Sequence, residues 1–341
     1  MRAHIYFILC SICGVLGKAW SVPGVAFSLN PDYGTAVIYY ANGSFVEIGP
    51  FEGTQEYKTF LRSSKPSYTV PELAACRFVP PSLQGIFNIC TPSAAVASAE
   101  TLLRSLQSSV TSHLGTSFCY AELVLHNPSQ EDGYQRDILQ EALKRIGRRQ
   151  AVRGVPVLPA SSLAVHANLR FPTARTLMPQ AALSIEYSRW GMNVALFCVD
   201  RLVLEEQRHE IVIFPVESQT AGAQDGSRDN GARLEEAGEA LRRISKPPLG
   251  SCSVIGDMPD KIQVLILHGD SVRDSGFMDL LKGLFGRKLV AEAYDFDPLF
   301  ASAVGGAVAS HDNMDQAYFN EPAAFGCRWP SKLYREQNQE L

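Results

Sequence analysis

Hydrophobic positions fall into short runs separated by turn residues. Val25 to Leu29, Thr35 to Tyr40 and Ser44 to Ile48 are rich in β-branched and aromatic residues, and Asn42-Gly43 between the last two is a strong hairpin signal. This pattern predicts an antiparallel meander. Residues 63 to 93 are rich in proline, serine and small residues, after which Ala95 to Ser112 has the period of an amphipathic helix. Tyr120 to Leu125 reads as a strand. Asp132 to Arg148 places Ile138, Leu139, Ala142, Leu143 and Ile146 on one helical face, with basic residues at the end that favours the helix dipole.

The theme returns in the second half. Ala182 to Ile185 and Val194 to Val199 flank Glu186 to Gly191, and Arg201 to Val203 and His209 to Phe214 follow, predicting a second meander. Thr220 to Gly231 has the composition of an exposed loop. Arg233 to Ile244 reads as a helix, Lys261 to Leu267 as a buried strand, and Gly276 to Phe285 and Pro298 to Ser310 as helices. Each half therefore has hairpin strands followed by helix and strand, which predicts two related α/β lobes, residues 22–180 and 181–320, with a polar tail at 321–341.

Composition narrows the classes of function. The 341 residues are 46% hydrophobic and 19% charged, and 31 basic against 35 acidic residues give a net charge of -4, so no positive field gathers nucleic acid. At the N-terminus Arg2 and His4 precede an apolar run from Ile5 to Gly17, and Ala19-Trp20-Ser21 offers small residues for a signal peptidase. The run is shorter than the roughly 20 residues a spanning helix needs. A signal peptide at residues 1–21, a secretory-pathway protein (endoplasmic reticulum lumen or secreted) and no stable membrane anchor are expected.

Six of the eight cysteines follow residue 21, and fifteen full pairings are open to them. Cys76 and Cys90 flank a short proline-containing loop and are the first candidate pair. Cys119 and Cys198 sit in apolar runs and read as buried free thiols. Scattered histidines and the lack of a CxxC pair after residue 21 give no expectation of a metal. The glycosylation candidate is Asn42 in Asn42-Gly43-Ser44, because Pro128 disqualifies Asn127-Pro128-Ser129.

Three segments resemble the nucleotide-binding domain of the seventy-kilodalton heat-shock chaperones, within the actin-like ATPase superfamily. Val25 to Gly34, with the hairpin to Glu47-Ile48, is similar to the first phosphate loop. Ile185-Glu186-Tyr187-Ser188-Arg189-Trp190-Gly191 sits where the second phosphate loop belongs. Leu265 to Arg273 resembles the adenosine loop, and Asp297 to Ala301 through Gly305-Gly306-Ala307 the helix after it. The resemblance implies a two-lobed actin-like (ribonuclease-H-like) α/β fold, trimmed, with no peptide-binding domain after residue 320.

It also implies which parts to compare. Phosphate hairpins need glycine so that backbone N–H groups can close around the anion. Here the first hairpin's metal-organising aspartate aligns with Ser28, its Gly-Thr-Thr with Asn30-Pro31-Asp32, and the glycines of the second with Ser188, Arg189 and Trp190. The acidic residue expected before the next helix aligns with Leu158. The adenosine loop keeps Gly269, Ser271 and Arg273, while Asp270 replaces a second glycine.

Asp32 and Glu186 are vestigial phosphate-hairpin groups by this alignment, or exposed turn carboxylates by the general surface bias of acids. Arg189 can meet a phosphate or an acidic partner, or be solvated. Trp190 is expected in the cleft between lobes. Asp295-Phe296-Asp297 has the look of a metal-binding DxD, but Asp297 reads better as a helix N-cap, and His268 as a strand-end cap. No catalytic residue is assigned. The expected function is a chaperone-like pseudo-ATPase acting on an unknown protein partner. The alternatives are weak ATP or ADP binding through residues 269 to 273 with slow hydrolysis, and an accessory protein of a dedicated biosynthetic pathway.

Overall fold

The computed structural model describes residues 22–62, 93–126, 133–152, 158–170, 180–200, 203–214, 226–252, 256–293, 296–316, 319, 326–327 and 329–334. The expected signal peptide at 1–21, the Cys76 and Cys90 pair and Asp295 lie outside the described residues.

Two mixed sheets carry the fold. The first begins with an antiparallel meander, β1 (Gly24–Leu29), β2 (Tyr33–Tyr39) and β3 (Phe45–Glu52). β4 (Glu122–Leu125) joins β1 in parallel and β5 (Leu158–Pro159) joins β4 in parallel, for an order of β3-β2-β1-β4-β5. The second sheet starts alike, with β6 (Gln180–Ser188), β7 (Gly191–Asp200) and β8 (Val203–Ile213) as a meander. A small pair, β9 (Ser251–Cys252) and β10 (Gly256–Asp257), precedes β11 (Val264–His268), which pairs in parallel with β6 and gives the order β11-β6-β7-β8. The helices are α1 (Gln55–Arg62), α2 (Ala94–Leu114), α3 (Gly133–Arg145), α4 (Ala160–Arg170), α5 (Gly226–Ile244), α6 (Ser275–Phe285), α7 (Arg287–Ala291) and α8 (Ala301–Met314).

Side-chain alternation explains why β1 and β6 read as continuous apolar runs: both faces of each strand are covered. Val25, Phe27 and Leu29 face a core shared with α2 and α3, and Leu183 and Ile185 face one shared with α5 and α6. On the other faces, Ala26, Val37 and Val124 meet α4 and α8, while Ala182, Ala195 and Ile266 meet Ala164 and Val165 of α4. The helices between the sheets sit close because small residues line the contact. A Cβ on Gly305 would lie 2.0 Å from the Leu163 carbonyl oxygen, so only glycine lets α8 approach α4 this closely.

Several elements differ from the sequence pattern. The loop expected at 220–231 is helical from Gly226, because the amphipathic segment at 233–244 propagates back toward its N-terminus. The helix expected from Pro298 starts at Ala301, since residues 298–300 form a turn on Asp297: its Oδ1 accepts from Leu299 N at 3.0 Å and its carbonyl from Phe300 N at 2.9 Å. Asp297 thus organises the turn before α8 and is not its N-cap. One continuous β8 replaces two separate runs, its polar middle at Glu205 to Arg208 being half-exposed.

Cys119 and Cys198, expected as free thiols, are disulfide-bonded, to Cys327 and Cys252, with Cα–Cα distances of 5.5 and 5.9 Å. Their partners lie 208 and 54 positions away, where local sequence context carries no pairing signal. Part of the C-terminal tail is therefore anchored on the first sheet's side: the Tyr334 hydroxyl accepts from Cys119 N at 3.1 Å, and Lys332 N donates to Thr116 Oγ1 at 3.0 Å. Asn42 is exposed at the tip of the β2–β3 hairpin, with Gly43 at φ 86°. Among the described residues no helix is long and apolar enough to cross a membrane.

Candidate functional site

Parallel strands place their carboxyl ends together, and loops leaving that edge are where α/β folds build sites. Here β1 and β4 of the first sheet and β6 and β11 of the second end in one polar region. The two hairpin turns, residues 30–32 after β1 and 189–190 after β6, face each other across it. They are joined through one carboxylate. Asp32, whose side chain is 2% exposed, accepts from Arg62 at Oδ1 and from the Arg189 guanidinium and Trp190 Nε1 at Oδ2. The Arg62 guanidinium also lies 3.5 Å from the centre of the Trp190 ring.

Electrostatics fit that arrangement. Burial pushes the Asp32 carboxyl up, but the hydrogen bonds from Trp190, Arg62 and Arg189 outweigh it and hold the group below its usual range. Backbone donors of both turns are taken internally, Asn30 N by Tyr33 O at 2.9 Å, Asp32 N by Asn30 Oδ1 at 3.4 Å and Trp190 N by Ser188 Oγ at 3.2 Å, and Pro31 has no N–H to offer. Asn30 O in turn accepts from the buried Tyr57 hydroxyl at 3.0 Å. The turns present side chains and a carboxylate where a phosphate loop would present open N–H groups.

A second cluster lies at the strand ends. Glu186 on β6 and His268 on β11 are register partners, and His126 follows β4 from the other sheet. The His126 Nδ1 meets the Glu186 carboxylate. Ser28 Oγ, 3.0 Å from Ser302 Oγ, lies 3.4 Å from His126 Nε2, and Ser184 Oγ lies 3.0 Å from His268 Nε2. Asn193 Nδ2 donates to the His126 carbonyl at 2.6 Å and so links the sheets again. Burial raises the Glu186 carboxyl, with His126 pulling it back, and burial followed by the nearby His126 lowers His268 to about 3.

Asp32 and Glu186 are both at the site, and both are buried, which corrects the exposed-turn alternative: each is drawn inward by cationic or imidazole partners contributed from elsewhere in the chain. Arg189 pairs with Asp32 and is not simply solvated, while Trp190 does lie between the sheets as expected. His268 holds Ser184 from a wholly buried position. Gly269 has φ 105°, and a Cβ there would lie 2.5 Å from Tyr187 O, so its glycine serves the packing of this loop on β6. Ser271 N donates to Tyr187 O at 3.1 Å, and exposed Arg273 faces Asp297 at 4.0 Å. These three sit on the β11–α6 loop, apart from the Asp32 contacts.

Arg62 and His126 were not singled out by sequence reasoning. Arg62 ends α1 and carries no motif, and His126 reads only as a strand-end residue, so the signal for either is tertiary proximity. The chain matches no family model and none of the curated proteins compared with it.

Proposed function

We propose that this chain is a trimmed actin-like protein similar to the heat-shock chaperones, a pseudo-ATPase of the secretory pathway that acts by binding another protein. The observation that carries the reading is the Asp32 clamp: the carboxylate of one hairpin turn occupies, with Arg62, Arg189 and Trp190, the space where two phosphate loops would hold an anion. Phosphoryl transfer depends on positioned donors and charge around the phosphates, and here Asn30 N, Asp32 N and Trp190 N bond within their own turns.

The repeated strand plan, a three-stranded meander followed by a parallel strand in each sheet, supports the actin-like assignment and the division into two lobes. The two disulfides fit an oxidising compartment. Ile211 and Ile213 on β8 are exposed, Ile213 by 68%, and a strand at the sheet edge with apolar side chains outward is a surface suited to a protein partner.

Thermal unfolding of the full chain with adenosine, ADP and ATP, each with and without Mg²⁺, tests the reading. A ligand that binds only the folded state at a hundredfold excess over Kd stabilises it by about 2.7 kcal/mol. The expected shift is small, independent of Mg²⁺ and no larger for ATP than for adenosine. A large Mg²⁺-dependent shift specific to ATP overturns the pseudo-ATPase reading.

A further inference from the structure

His126, Glu186 and His268 are brought together in a way that hydrogen bonds leave incomplete. One nitrogen of each ring and one carboxylate oxygen lie within 4.8 Å of one another. Ser184 donates its hydroxyl hydrogen to Ser161 O at 3.3 Å, so the hydrogen shared with His268 Nε2 at 3.0 Å belongs to the ring. That tautomer leaves His268 Nδ1 as a bare lone pair, and this atom is buried without a hydrogen-bond partner. Glu186 Oε2 is buried without one as well. On His126, Ser28 lies at Nε2, and Nδ1 faces the carboxylate of Glu186.

A buried lone pair and a buried anionic oxygen with no donor between them are costly. A proton on His126 would answer Glu186 but would do nothing for His268 Nδ1. One cation among the three groups satisfies all of them. We propose that His126, Glu186 and His268 form a buried divalent-metal site of the zinc type that bridges the two sheets.

The donor set disfavours Mg²⁺ and Ca²⁺ and favours Zn²⁺ or another imidazole-binding divalent ion. Two imidazoles and a carboxylate suit Zn²⁺, whereas Mg²⁺ and Ca²⁺ take oxygen ligands. Zinc ligand distances of about 2 Å put the donor atoms of a tetrahedral shell about 3.3 Å apart, so small ring rotations close a set already within reach. Ser28 and Ser184 supply the outer contacts that fix each ring through its Nε2, as partners of metal-bound histidines do. Three protein ligands leave a fourth position for water or a small anion, reached from the side of His126, whose side chain is 11% exposed while that of Glu186 is 6% exposed. The spacing-based expectation of no metal missed this set because its ligands come from the ends of three strands. The proposal does not depend on the nucleotide reading, since none of the three groups contacts Asp32 or its arginines.

The test uses the full chain, stripped with a chelator and dialysed against Zn²⁺ or Mg²⁺, with bound metal measured by mass spectrometry. The expected result is one tightly held Zn²⁺ per chain, no retained Mg²⁺, and a higher melting temperature with Zn²⁺. Glu186→Gln and His268→Asn should each weaken Zn²⁺ binding at least a hundredfold, and Ser184→Ala, which keeps every ligand, about tenfold. Co²⁺ in the unaltered chain should give the intense visible bands of a tetrahedral nitrogen and oxygen set without thiolate charge transfer, a readout that does not require any variant to fold. Failure of the folded chain to retain Zn²⁺, retention unaffected in the variants, or a Co²⁺ spectrum that is octahedral or thiolate-bound would each overturn the proposal.

Discussion

Asp32 and Arg189, 157 positions apart, close the space between the two hairpin turns: Nε and Nη2 of the guanidinium both lie 2.5 Å from the same carboxylate oxygen. With Arg62 on the other oxygen, the carboxylate is shared between cations of the first and second halves of the chain. Removing one partner of a buried pair leaves the rest uncompensated, which typically costs about 3–5 kcal/mol. Asp32→Ala should therefore lower stability in chemical denaturation by several kcal/mol. Arg189→Ala should cost only about 1 kcal/mol, because that side chain is 54% exposed and Arg62 stays in place. Equal effects of the two changes would contradict the central role of the carboxylate.

Glu122 makes stability depend on pH. It is fully buried on β4, accepting from Ala151 N and Val152 N, and burial against those bonds raises it to about 7 from 4.5. Between those values the folded state binds more protons than the unfolded one, so this group's contribution falls as pH rises and is lost above about 7. The loss amounts to about 3 kcal/mol. Urea midpoints at about pH 5 and about pH 8, compared with those of Glu122→Gln, should show the variant gaining on the parent at the higher pH. A parallel pair of pH profiles would remove this assignment.

Two glycines in helices should respond with opposite sign to alanine. Gly305→Ala drives a methyl into the Leu163 carbonyl and should cost about 3 kcal/mol or more. Gly283 in α6 is exposed, with nothing within 4 Å of an added Cβ, so alanine there should stabilise by about 0.5–1 kcal/mol. Thermal unfolding of both variants is the check, and a tolerated Gly305→Ala would mean α4 and α8 pack less closely than described.

Disulfide loss should scale with the loop enclosed. Loop-closure entropy assigns about 5 kcal/mol to the Cys119–Cys327 link and about 4 kcal/mol to Cys198–Cys252. Serine pairs at each should both destabilise, and hydrogen exchange should show faster exchange at Cys119 N, the donor to Tyr334, only in the first. Unchanged exchange there would show that the C-terminal segment is held by its packing alone.

Secretory expression should yield a product lacking residues 1–21 and carrying a glycan on Asn42, which the exposed hairpin tip makes accessible. Intact mass before and after deglycosylation reports both, and a mass that retains the leader would place the apolar run in the mature protein.

The strands were the most legible part of the sequence. β1 to β3 and β6 to β8 announce themselves by β-branched runs and by turns such as Asn42-Gly43, where local chemistry and tertiary placement agree. Edges blurred where polar residues occupy a half-exposed strand, as at Glu205 to Arg208, or where a turn such as the one on Asp297 delays a helix. The site was legible in part. Asp32, Glu186 and Arg189 stand out because they occupy positions in turns and strand ends, but the burial of Asp32 and Glu186 depends on partners supplied by Arg62 of α1 and by His126 after β4. The pairing of Glu186 with His268 follows from the register of two parallel strands separated in the chain by β7, β8, α5 and the β9–β10 pair, and register of that kind has no local signature.

Helix α8 covers Ala26 and Val124 of the first sheet, and Cys327 reaches back to Cys119 beside it. During synthesis from the N-terminus, the strands of the first sheet emerge long before the segment that seals their inner face. α4 can cover only part of that face, the rest stays open to water until residues 301–314 have left the ribosome, and the long-range disulfide closes later still. Order of emergence and order of completion thus run opposite: the part of the chain made first is the part finished last, and a nascent chain halted within the second meander would display an apolar surface for other proteins to guard.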